Sequence, residues 1–148
     1  MTEIGFYHLT RTRPDQALPQ LLARTLAAGQ RAVVHCGNAQ RLADLDETLW
    51  QCASPDWLPH GTLADGDVDL QPIWLTTEDA SPNGARFLFL IDGARSEHLG
   101  DFDRVFDLFD GQNQPAVTAA RERWTAARAA GHILTYWQEA GRGWEKKA

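Results

Sequence analysis

The run RAVVHC, Arg31 to Cys36, is apolar at nearly every position rather than at every second one. A β-branched strand of this kind loses its rationale unless both of its faces are covered, as in a parallel sheet sandwiched by helices. Its flanks agree. ALPQLLARTLAAG, which precedes it, carries Leu18, Leu21, Leu22 and Leu26 with helical recurrence, and AQRLADLDETLWQ, which follows, has Leu42, Leu45 and Leu49 at i, i+3 and i+7. IGFYHL, Ile4 to Leu9, reads as an earlier strand. Strand, helix, strand, helix in the first third predicts parallel strands joined by right-handed helical crossovers. The expected class is α/β: three layers, α/β/α, around a mostly parallel sheet.

The later chain continues the pattern less regularly. IWLT (Ile73–Thr76) and RFLFLID (Arg86–Asp92) read as strands, and the segment Thr62–Pro72 between them and α-helical sequence reads as loop. DFDRVFDLFD places Phe102, Val105, Phe106 and Phe109 at helical spacing, which predicts a helix with its aspartates in solvent. A last helix is expected from about Ala116 to Ala130, closed by Gly131, and HILTYW is either a final strand or an arm. Pro19 is expected close to the first turn of its helix. With no repeat and no composition break, the whole of 1–148 is expected to be one domain, with an extended C-terminal tail from about residue 138.

Composition excludes several function classes. The amino-terminal MTEIGFYHL lacks a basic n-region, and no apolar run approaches a membrane span, so neither a signal peptide nor a membrane segment is expected. Cys36 and Cys52 have no paired spacing and read as reduced thiols of a cytosolic protein. Residues 1–120 hold 8 Lys+Arg against 17 Asp+Glu, whereas residues 121–148 hold 6 against 3, giving the net charge of −6. An acidic body repels nucleic acid, so no direct nucleic-acid contact is expected.

Tests for chemistry mostly fail. The turn CGNAQR lacks the glycines and Lys-Ser/Thr of a phosphate loop. The five histidines have no ligand spacing, and no metal or other cofactor is expected. DGDVD, Asp65 to Asp69, has Thr76 where a calcium loop needs its twelfth-position Glu. Cys36 with His35 or His60 would suit a small hydrolase or transferase, the alternative reading. As a free cysteine, Cys36 is more simply a small buried apolar residue.

Two constellations remain. Trp50 and Trp57 bracket the end of a helix and a Pro-rich loop, with Pro59 just beyond. They form either an exposed apolar patch for a partner or a local mini-core. In ARERWTAARAAG, Arg121, Thr125 and Arg128 recur at i, i+4, i+7, with Trp124 alongside. This is either a solvated face or a site for a peptide with a free carboxylate and an apolar last residue, since Arg forks hold carboxylates in paired hydrogen bonds.

FYHL, GQRAVVHCGNAQRLADLDETLWQ, the loop SPDWLPHG, PIWLT and ARERWTAARAAGHILTYWQ together, in one register over nearly the whole chain, resemble the chi subunits of bacterial DNA polymerase III holoenzyme. The resemblance implies a Rossmann-like fold without a nucleotide-binding loop, and a non-catalytic accessory of the clamp loader, cytoplasmic and replisome-associated. It implies two partners: the psi subunit, on a surface with Trp50, Trp57 and Pro59, and the acidic C-terminal tail of single-stranded DNA-binding protein, at Arg121, Trp124 and Arg128. The chain departs from some relatives in having Thr125 where they have a basic residue. Asp110 is expected to make the tail pocket's rim more acidic, with Arg142, Lys146 and Lys147 available to compensate.

Overall fold

The computed structural model describes residues 2–51, 59–140 and 143–148, leaving aside the side chain of residue 15. Seven strands build one sheet: β1 (Glu3–Leu9), β2 (Ala32–Cys36), β3 (Ile73–Thr76), β4 (Phe87–Ile91), β5 (Arg104–Asp110), β6 (Ile133–Glu139) and β7 (Trp144–Lys146). Their order is β3-β2-β4-β5-β1-β6-β7. The first six are parallel, and β7 folds back antiparallel on β6 through the pairs Trp137–Lys146, Gln138–Glu145 and Glu139–Trp144. The sheet is open, with β3 and β7 at its edges.

Helices cover both faces. On one side, α1 (Pro14–Ala27) and α2 (Ala39–Gln51) bury Leu18, Leu22, Leu45 and Leu49 against Val34, Phe89, Phe106 and Leu108. On the other, α3 (Gln114–Ala129) packs Val117, Ala120 and Ala127 against Ile4, Phe6, Val105 and Phe109. This is the three-layer α/β arrangement expected from the run Arg31–Cys36, whose residues 32 to 36 are all buried. Asn113 caps α3, its side chain accepting from the Ala116 N–H at 3.1 Å, and Pro115 follows where a missing N–H costs nothing. Pro19 lies deeper in α1 than expected: the helix starts at Pro14, and Pro19 is buried in its second turn.

One element is corrected outright. The stretch expected as a helix over Asp101–Asp110 is a short 3₁₀ turn, Leu99–Asp101, followed by strand β5. The helical spacing was a coincidence of two strand faces. Val105 and Phe109 point toward α3, whereas Phe106 and Leu108 point toward α1 and α2. A strand hydrogen-bonded on both edges, between β4 and β1, is covered on both faces and so reads as a continuous apolar run. The expectation that its aspartates are solvated also fails at Asp107. That carboxylate is 2% exposed and takes two hydrogen bonds from Arg123 of α3, Nε at 2.6 Å and Nη2 at 2.9 Å. Burial pushes the Asp107 carboxyl up, and the guanidinium opposes that push.

The loop Thr62–Pro72 also acquires structure. Val68–Leu70 forms a 3₁₀ turn entered through Asp67 at φ 50°. Just before it, Gly61 pairs with Trp74 of β3: its N–H bonds the Ile73 carbonyl at 3.0 Å, and its carbonyl accepts from the Leu75 N–H at 2.9 Å. The edge of β3 is thus covered at its middle by the chain's own backbone.

Removing one partner of the buried pair strands the other. Arg123→Ala is expected to lower folding stability by about 3–5 kcal/mol. The double replacement Asp107→Leu with Arg123→Met recovers most of that loss. Urea unfolding followed by circular dichroism distinguishes the two.

Candidate protein-interaction sites

The face of α3 that carries the arginine pattern frames a pocket. Arg121 and Trp124 meet Val117 and Ala120 of the same helix, Phe109 from β5 and Tyr136 from β6, around a cavity of about 220 Å³. The walls are aromatic and mutually braced. Trp124 packs edge-on against Phe6 (centroids 5.2 Å apart) and Tyr136 (5.9 Å), and Phe109 lies 6.2 Å from Tyr136. Edge-to-face contacts of this kind hold rings in place and leave one side open to an apolar visitor.

Arg121 stands exposed at this pocket, and no carboxylate among the described residues pairs with it. Glu122, its neighbour in sequence, is turned to Arg95 at 3.5 Å. Arg123 is committed to Asp107. Arg121 is therefore a cation with an open partner position beside an apolar cavity. Arg128 is exposed in the last turn of α3 but does not line the pocket. Thr125 bonds back to the Arg121 carbonyl at 3.1 Å and adds no charge. Asp110, expected on the rim, lines instead a separate crevice of about 530 Å³ with Arg13, Arg41 and Asp92. Arg142 lies outside the described residues, and Lys147 pairs with Glu145 at 3.2 Å.

Sequence reading missed His8, Phe109 and Tyr136. The His8 Nδ1 lies 2.6 Å from the Tyr136 hydroxyl. Burial first, and Arg121 as well, hold the imidazole below its usual range, against a main-chain hydrogen bond at Gly111 that favours its charged form. Burial likewise raises the Tyr136 phenol, and Arg121 draws it partly back. The signal for this cluster was strand parity: Phe6 and His8 alternate onto the α3 side of β1, and Phe6 is in register with Tyr136. That signal was legible only once β6 was known to neighbour β1.

The second constellation lies elsewhere. Trp50, near the end of α2, is 53% exposed. Its ring lies tilted at 37° against His60, centroids 4.2 Å apart, and His60 is buried and bonded through Nε2 to Asp46 Oδ1 at 2.9 Å. Pro59 is half-buried beside it, and Trp57 lies outside the described residues. Three residues past His60, Leu63 is 85% exposed. It stands at a groove of about 700 Å³ that also includes Leu42, Val68, Trp74 and Pro82. Leu63 was hidden from sequence reading by its polar surroundings. The Trp50 face belongs to the α2 layer at the β2–β3 end of the sheet, whereas the Arg121 pocket belongs to the α3 layer at the β5–β6 end.

The alternative built on Cys36 does not assemble. Cys36 is 1% exposed, burial pushes its thiol up to about 11, and its polar neighbour is Asp92 Oδ2 at 3.5 Å. His35 alternates to the opposite face, bonded to the Thr77 carbonyl at 3.1 Å, and His60 is engaged by Asp46. A nucleophilic thiol needs the reverse conditions. Among the described residues no group of three or more His, Cys, Asp or Glu side chains is placed to hold a metal ion, and no helix is long and apolar enough to cross a membrane.

Comparison with known proteins places this geometry in a family. The family model described as DNA polymerase III chi subunit, HolC, matches residues 1–135. A DNA polymerase III subunit chi of Pseudomonas aeruginosa is 25% identical over 138 residues, 90% of this chain and 94% of that protein. That of Escherichia coli K12 is 24% identical over 121 residues, 81% of this chain and 82% of that protein. A probable DNA polymerase III subunit chi of Rickettsia prowazekii is 25% identical over 109 residues, 72% of this chain but 66% of its own length.

Gly111 makes the His8 position possible, since a Cβ there would collide with the His8 ring. Gly111→Ala is expected to cost about 1–3 kcal/mol as local overpacking. It should also break the His8–Tyr136 bond, visible as a shift of the His8 imidazole resonances in NMR spectra.

Proposed function

The chain belongs to the family of DNA polymerase III chi subunits, and on that footing we propose that it bridges two proteins: the clamp-loader complex, through its psi subunit, and the acidic C-terminal tail of single-stranded DNA-binding protein. As a DNA polymerase III chi subunit it serves DNA replication within a multi-subunit assembly. In this reading it takes no cofactor, performs no chemistry of its own, makes no direct contact with nucleic acid, and works in the cytoplasm at the replisome.

The observation that carries the reading is Arg121, paired with no carboxylate among the described residues, at an aromatic pocket. A terminal carboxylate on the guanidinium gains charge-assisted paired hydrogen bonds. The last side chain, if aromatic, fits the cavity between Trp124, Phe109 and Tyr136. Arg128 adds positive field farther along α3. Acidic residues upstream of the terminus gain from that field and from the basic balance of residues 121–148. In this reading the psi subunit takes the other surface, with Trp50 and Pro59 as apolar anchors and Trp57 assigned to the same partner. Separation of the two surfaces supports a bridge, since one ligand leaves the other's site open.

A peptide ending in acidic residues and Phe should bind the wild-type chain, and Arg121→Ala should weaken it by about 2 kcal/mol. Isothermal titration at rising salt should show weaker binding, because exposed ion pairs are screened. Equal affinities for wild type and Arg121→Ala would sink the tail-binding role. Trp50→Ala should leave the peptide affinity intact and weaken capture of purified psi subunit by about 2 kcal/mol or more.

A further inference from the structure

Beneath the open guanidinium lies a hydrogen-bonded pair that the reading above does not use. His8 Nδ1 and the Tyr136 hydroxyl are 2.6 Å apart, and Tyr136 is a wall of the pocket. The other edge of the imidazole, with Nε2 and Cδ2, lies against Gly111. The Gly111 main chain there favours a proton on the ring, and a neutral tautomer with that proton on Nε2 fits this side. The neutral imidazole then has Nδ1 as its free acceptor, and the Tyr136 O–H donates to it. In this state the phenol offers the pocket only lone pairs, which a carboxylate does not want.

Protonation reverses the arrangement. With a proton on both ring nitrogens, Nδ1–H donates to the Tyr136 oxygen, and the phenolic hydrogen turns outward. The proton comes from solvent, and no bond other than hydrogen bonds changes. The phenol becomes a donor in the pocket that Arg121 also lines, available to the same carboxylate. We propose that His8 and Tyr136 are a specificity-determining part of the tail site, in which proton uptake on His8 converts Tyr136 from an acceptor to a donor for the ligand's carboxylate, so that acidic-tail binding tightens as the pH falls.

The surroundings of His8 set the sign. From α3 it faces Arg121, which disfavours its positive charge. From β5, Asp107 is held by Arg123, and Asp110 accepts from the Gln112 N–H. From β6, Tyr136 touches it, while Glu139 is taken by the Thr12 hydroxyl and by the Thr12 and Arg11 N–H groups. Arg121 is therefore the charge that governs the ring. A carboxylate bound to Arg121 cancels part of that repulsion, and His8 holds its proton to higher pH in the complex than in the free protein. The complex binds more protons than its parts, so affinity rises as pH drops through the His8 range, and it is flat at higher pH. Peptide carboxylates titrate lower, near 4, and stay charged throughout.

This inference rests on the tail-binding reading, and its test separates the two. The peptide ending in acidic residues and Phe is titrated by fluorescence anisotropy against the full chain at pH 5.5 to 7.5, for wild type, Arg121→Ala, His8→Gln and Tyr136→Phe. Wild-type affinity is expected to rise by about threefold across that range, within the tenfold per pH unit that one linked proton permits. His8→Gln, checked as folded by circular dichroism, should bind with a flat profile, and Tyr136→Phe, checked likewise, with a shallower slope than wild type, because the Arg121–His8 repulsion persists there without the phenol donor. NMR titration of His8 should show its pKa rising when peptide saturates the protein. A wild type that binds with a flat profile and an unmoved His8 pKa overturns this inference and leaves the tail reading standing. An unchanged slope in both variants overturns it as well. A wild type that binds at no pH overturns both.

Discussion

Strand β1 is hydrogen-bonded along both edges, to β5 on one side and β6 on the other, and packed on both faces. Few placements satisfy that many demands at once. Its parity sends Tyr7 and Leu9 away from the pocket while Ile4, Phe6 and His8 face α3. Slipping the register by one residue would exchange those faces and empty the pocket of its floor. The position of α3 follows, since its small residues Ala120 and Ala127 allow close approach to the sheet and Arg123 ties it to β5. With Arg123 fixed underneath, its neighbours Arg121 and Trp124 have little choice about where they point.

The same logic explains why neighbouring arginines on one helix differ so much in chemistry. Arg123 is largely buried, and its Nε–Nη2 fork is taken by the Asp107 carboxylate. Arg121 has water on one side and an aromatic cavity on the other. Glu122 is drawn off to Arg95, so among the described residues no carboxylate quenches the Arg121 cation. Across the sheet, Trp50 is held by a tilted contact with the His60 ring rather than sunk in the core, leaving about half of the residue exposed. One face offers charge with an apolar slot, the other apolar surface, and they suit chemically different partners.

Much of the layer structure was legible in the sequence because uninterrupted β-branched runs and leucine stripes report burial directly. Residues Ile73–Thr76 and Ala39–Gln51 have the bounds that pattern alone assigns. β5 was not legible, since apolar residues on alternate faces of a doubly covered strand can mimic a helical stripe when aspartates intervene. Asp107 could not be told from a solvated aspartate without its partner sixteen residues later. At the pocket, Arg121 and Trp124 were visible through local spacing along α3. His8 and Tyr136 were not, because their meeting depends on strands 128 residues apart becoming neighbours.

The short backbone bridge from Gly61 to β3 has a consequence for how this molecule meets others. An open sheet presents two rims of unsatisfied amide groups, and such rims invite any extended chain to join. Here one rim is stopped by Gly61 and the other ends in the three-residue β7. Strand addition is closed as a mode of assembly on that guarded rim, so whatever docks nearby must be chosen by side-chain shape and charge, a more selective criterion for a component that sits among many proteins at once.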